Sequence, residues 1–140
     1  MKLAAALVAL LLVASAAHAQ EIRPVVDRLA ASWSRADAGA LAELVSRDGV
    51  SVEIGEEKTG PLNARQVAAV LRQQIFDRTE SMKAETSMAR VVGGTPERGF
   101  GELAWTEKPR GTTVPRQSTV FLGLVLEDGA WKITEIRLMR

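Results

Sequence analysis

The chain has no cysteine and no tyrosine, and its single histidine is His18. Each absence removes a class of chemistry. Without thiols there is no cysteine nucleophile, no disulfide and no cysteine-based zinc site. Beyond residue 18 there is no imidazole, hence no histidine general base and no Ser–His–Asp arrangement. Large rings are scarce as well, with three tryptophans and three phenylalanines. Trp33, Trp105 and Trp131 must therefore serve the core or a pocket wall. Asp, Glu, Lys, Arg, Ser and Thr are what remains for chemistry, and no metal site or cofactor is expected.

The first residues, MKLAAALVALLLVASAAHAQ, set Lys2 ahead of an apolar run and end a small-residue stretch in Ala17-His18-Ala19. This is the pattern of a secretory signal with an A-x-A cleavage site. The apolar run falls short of the ~20 residues of a spanning helix, and no cysteine follows that could carry a lipid. The expectation is that residues 1–19 are removed, that the protein is exported to the bacterial periplasm or the medium, and that Gln20 becomes the N-terminus. His18 leaves with that segment, and so does Lys2, which brings the 18 basic residues level with the 17 acidic ones. A balanced charge gives no ground for a nucleic-acid partner or for an anionic membrane surface, and no membrane anchor is expected. Residues 20–140 are enough for a single domain resting on its own core.

Residues 22–33, IRPVVDRLAASW, put Ile22, Val25, Val26, Leu29, Ala30 and Trp33 on one helical stripe, with Pro24 in the first turn. Asp37 caps a second helix, AGALAELVS, with Leu41, Leu44 and Val45 inward. Val50–Ile54 alternates as a strand with Glu53 outward, and GEEKTG reads as a charged loop. Asn63 and Gln66 form a capping box for a third helix carrying Val67, Val70, Leu71 and Ile75. Four strands follow, over residues 82–92, 99–107, 118–127 and 131–139, with turn chemistry between them. Helices first and antiparallel strands after them predict an α+β domain with helices on one sheet face. The strand STVFLGLVLE is apolar on both sides. Either the sheet curls until both faces are covered, or its outer face meets a second subunit as a homodimer.

Three stretches carry a family resemblance: ASWSRADAGALAELVSRDGVSVEI, GPLNARQVAAVLRQQIF and VFLGLVLEDGAWKITEIRL. Together they resemble the nuclear transport factor 2-like superfamily, which includes SnoaL-like proteins and ketosteroid isomerases, and the likeness spans nearly all of residues 20–140. It implies a cystatin-like α+β cone, with N-terminal helices on a curved, mainly antiparallel four- to five-stranded sheet. Superfamily enzymes use a buried carboxylate with tyrosine, histidine or a second acid. With no tyrosine and no histidine here, no family catalytic residue transfers by position.

Three carboxylates fall within the expected sheet strands, in reach of a pocket: Glu102, Glu107 and Glu135. Strict alternation places Glu102 with Phe100 and Ala104, and places Glu135 and Arg137 with Trp131 and Ile133. Glu135 and Glu102 are the candidate bases, if burial raises their proton affinity. Arg137, Glu135, Trp131 and Trp105 are the candidate ligand-binding group, with Arg116 and Arg98 able to join Arg137. Two functions follow. One is a non-catalytic exported domain that takes a small apolar or weakly anionic ligand, or a protein partner. The other is a SnoaL-like isomerase, dehydratase or cyclase with a single pocket carboxylate.

Overall fold

The structure, a computed structural model, describes residues 20–140; the expected signal segment, residues 1–19, lies outside the described residues. Helix α1 (Ile22–Ser34) buries the stripe its spacing predicts, from Ile22 to Trp33. The Asp37 carboxylate then accepts the Ala40 N–H at 3.0 Å to start α2 (Ala38–Ala42). This helix is shorter than its sequence predicts. The next residues turn aside because Val45 bridges in parallel to Ile133 in the sheet. The capping box before α3 (Ala64–Gln74) is complete: the Gln66 N–H reaches Asn63 Oδ1 at 2.9 Å, and the Asn63 N–H reaches Gln66 Oε1 at 3.0 Å. No helix among the described residues is long and apolar enough to cross a membrane.

The strands are β1 (Val50–Ile54), β2 (Glu57–Leu62), β3 (Thr79–Gly93), β4 (Arg98–Pro109), β5 (Arg116–Glu127) and β6 (Ala130–Met139). They form one open, mixed sheet in the order β2-β1-β6-β5-β4-β3, with β1 and β6 parallel and the other pairs antiparallel. The α+β class is as expected, but the strand count is six rather than four to five. The extra strand comes from the segment expected to be a charged loop. Past a turn at Gly55-Glu56, the chain pairs back on β1 as β2. As an edge strand it is almost wholly exposed. It therefore needs no apolar alternation, and a pattern reading has nothing to find.

A second correction concerns β6. Gly123 of β5 faces Glu135 and Leu124 faces Ile133, so Thr134 has no opposite number. This bulge shifts the alternation by one residue. Trp131 and Ile133 point to the helices, and so do Ile136 and Leu138 beyond the bulge, while Glu135 and Arg137 turn to the outer face. Strict alternation had put Glu135 and Arg137 beside Trp131. The bulge sits where β6 changes neighbours. Ile133 exchanges hydrogen bonds with Leu44 O at 2.6 Å and with the Ser46 N–H at 2.8 Å, whereas from Glu135 onward β6 pairs with β1.

The core lies between the helices and the inner sheet face. Helix α1 approaches β4 so closely that a Cβ on Gly101 would stand 2.8 Å from Val26 side-chain atoms, and one on Gly99 would stand 2.5 Å from Ile22 Cδ1. Substituting Gly101→Ala should therefore cost about 1–3 kcal/mol through overpacking. Urea unfolding reads this directly, and an unchanged midpoint would mean that α1 does not seat on β4 as described.

Candidate functional site

Between the helices and the sheet, the described residues pack as one apolar core. Trp33, Trp105 and Trp131 are 0%, 1% and 2% exposed. The Trp33 ring stands edge-on to Phe76 at 5.3 Å and to Trp105 at 5.6 Å between centroids. Leu29, Leu71, Ile75, Leu103, Leu122 and Ile136 pack around them. Trp105 and Trp131, two of the four expected ligand contacts, are thus core residues. The Trp131 indole N–H donates to Gln20 O at 2.8 Å, whereas the Trp33 and Trp105 indole nitrogens meet no protein acceptor.

The carboxylate that the inner face does bury is Glu107, 1% exposed. Its Oε1 accepts from Arg116 Nε at 2.7 Å, lies 2.6 Å from Arg116 Nη2, and lies 3.4 Å from Arg140 Nη2. Its Oε2 lies 3.2 Å from Thr79 Oγ1, whose hydroxyl is also 2.8 Å from Ile75 O. The two guanidiniums and this hydroxyl occupy both oxygens, so the group closes the end of the core. Burial, with repulsion from Arg116 and Arg78, holds Arg140 below the ordinary arginine range against the opposing pull of Glu107. Glu107 shares its alternation phase with Leu103 and Trp105, which is the one signal that could have marked it as inward.

On the outer face, Arg137 Nη2 donates to Glu135 Oε1 at 2.7 Å, and Arg137 Nε lies 3.2 Å from Glu53 Oε2 without hydrogen-bond alignment. The guanidinium carbon of Arg137 sits 5.4 Å from the Phe121 ring centroid, and Phe121 stacks on Phe100 at 5.6 Å and 27°. Glu102 stands opposite Phe121 on one side and opposite Met88 on the other. The sheet therefore divides the expected ligand group. Arg137, Glu135 and Glu102 share the outer face, Trp105 and Trp131 face inward, and Arg116 is drawn to Glu107. Both candidate bases face outward, and Glu135 is already paired with Arg137.

Two open troughs flank this face. One, of about 570 Å³, is lined by Lys83, Glu85, Thr106, Gln117, Thr119 and Arg140, among others, and Trp105 lies at its floor, almost wholly buried. The other, of about 680 Å³, includes Ser46, Arg47, Arg98 and Glu127. Burial alone would raise the Glu127 pKa, but the Ser46 hydroxyl and the Arg47 backbone N–H and guanidinium outweigh it and hold it below the ordinary 4.5. Among the described residues no group of three or more His, Cys, Asp or Glu could hold a metal ion.

No protein-family model matches the chain, and no curated protein matches it. Solved structures do. A hypothetical protein with a ketosteroid isomerase-like fold from Catenulispora acidiphila, in complex with trimethylamine, is 16% identical, with a TM-score of 0.66 over 86% of this chain and 87% of that one. A nuclear transport factor 2-like protein of unknown function from Shewanella oneidensis is 13% identical, with a TM-score of 0.57 over 77% and 87%. A domain of unknown function with a cystatin-like fold from Nostoc punctiforme is 15% identical, with a TM-score of 0.61 over 79% and 69%. At these identities the likeness is one of fold.

Two outcomes test the charge groups. Arg116→Ala leaves the buried Glu107 charge with Arg140 alone and should cost stability at the low end of about 3–5 kcal/mol. Glu107→Gln leaves only half-exposed guanidiniums and should cost less, so the reverse order in urea unfolding would contradict this geometry. The lowered Glu127 pKa stabilises the fold fully above the unfolded value near 4.5 and loses that contribution as pH falls below it. In Ser46→Ala the slope of stability against pH in that acid window should flatten.

Proposed function

Given the nuclear transport factor 2-like fold, we propose that the protein is an exported, non-catalytic binding domain that works through the outer face of its sheet and pairs there with a second copy of itself. The observation that carries this reading is the division of side chains by the sheet. The inner face is filled by three tryptophans and closed by the bound Glu107, while Phe100, Phe121, Met88 and the Glu53–Arg137–Glu135 group lie on the outer face. A stacked phenylalanine pair with an arginine over one ring is apolar surface of the kind a partner covers. Charges of both signs ring the pair, which suits an isologous contact in which each copy offers the same patch. An enzyme of the SnoaL-like kind would need a free carboxylate facing an enclosed pocket, and Glu102 and Glu135 face the other way. Export rests on the signal pattern of residues 1–19.

Light scattering on purified protein should give twice the mass of the chain, and Phe121→Glu should give a folded monomer with an unchanged circular dichroism spectrum. A wild-type protein that stays monomeric at high micromolar concentration would remove the pairing.

A further inference from the structure

Gln20, the residue that cleavage after Ala19 exposes, is bound three ways to the turn between β5 and β6. Its backbone N–H donates to Gly129 O at 3.0 Å, its side-chain Oε1 accepts the Trp131 backbone N–H at 3.0 Å, and its carbonyl accepts the Trp131 indole N–H at 2.8 Å. Gly129 O and the Trp131 N–H flank Ala130 and project from the same edge of the chain. The main-chain nitrogen and the side-chain carbonyl of one glutamine are therefore held side by side. These are the two groups that an N-terminal lactam joins.

We propose that, once the signal segment is removed, Gln20 closes to N-terminal pyroglutamate and that the folded β5–β6 turn promotes the closure. The proposal rests on the export reading for the exposure of Gln20 in the cell. In the step, the lone pair of the neutral amine attacks the amide carbon Cδ. An Nα–Cδ bond forms, negative charge develops on Oε1, and the Trp131 N–H already donates there as an oxyanion donor would. The Cδ–Nε2 bond then breaks, and ammonia leaves with one of the two protons of the amine. The other proton stays on the lactam nitrogen and faces Gly129 O. Nothing is oxidised or reduced, and no co-reactant is needed.

The product keeps every contact the glutamine makes. The lactam N–H faces Gly129 O, the lactam carbonyl faces the Trp131 N–H, and the Gln20 carbonyl still receives the indole N–H. Binding the two reacting groups on one edge also lowers the entropic part of the barrier. The modified terminus carries no charge and offers no amine to an aminopeptidase.

The test follows ammonia loss by intact mass after a protease removes an N-terminal extension in vitro and leaves Gln20 first. One sample is kept folded and one is held in urea. Closure should be roughly tenfold or more faster in the folded sample, as proximity and a fixed oxyanion donor require. An equal or slower rate when folded would overturn the proposal, and this comparison does not depend on export. Peptide mapping of protein recovered after export supplies the second arm. A terminus at Gln20 lighter by one ammonia supports the proposal. Free Gln20 overturns it and leaves export standing, whereas a terminus elsewhere overturns cleavage after Ala19 and, with it, the proposal for the exported protein.

Discussion

At Thr134 the last strand gains one residue over its partner, and the orientation of everything beyond it follows. The strand arrives with Trp131 and Ile133 turned to the helices and leaves with Ile136 and Leu138 turned the same way. Without the extra residue, one of these pairs would face water and Glu135 and Arg137 would face the core. A slip of that kind reverses every side chain. The bulge is placed by the chain that borders it. Leu44 and Ser46 take the hydrogen bonds of Ile133, and β1 takes over from Glu135. The short second helix, the bridging segment and the parallel pairing of β1 with β6 are thus one arrangement.

That arrangement decides which side chains each face of the sheet presents. Turning Glu135 and Arg137 outward leaves the inner face to apolar residues, among them three buried tryptophans, of which Trp33 meets Phe76 and Trp105 edge-on. The one inward acid, Glu107, is held by two arginines and a threonine hydroxyl at the end of the core, where it closes the domain. The outer face gathers the remaining aromatic pair and a three-membered charge group. Exposed ion pairs of this type contribute only about 0–1 kcal/mol to stability.

The sequence made some of this legible and hid the rest for physical reasons. The stripe from Ile22 to Trp33 and the Asn63–Gln66 box follow from helical spacing and orphan backbone donors, both local properties, and both are in place. The strand β2 escaped notice because an exposed edge carries no apolar alternation. The outward turn of Glu135 and Arg137 lies outside a strict alternation, because the bulge moves the apolar phase from Trp131 and Ile133 to Ile136 and Leu138, a shift that the spacing of these four residues does carry. Glu107 stood among the sheet carboxylates, yet its burial depends on Arg116, reached across the β4–β5 pair, and on Arg140 from the end of β6. The group Arg137, Glu135, Trp131 and Trp105 joins three residues that strict alternation of β6 sets together to a tryptophan of β4, and the sheet divides it.

The filled inner face is the claim on which the binding account turns, and the chain allows a direct measurement because Trp33, Trp105 and Trp131 are its only tryptophans. Acrylamide quenching of intrinsic fluorescence in the native protein should be uniformly weak, with emission at the short wavelengths of apolar surroundings. A readily quenched, red-shifted fraction would place a tryptophan in contact with water and contradict the account.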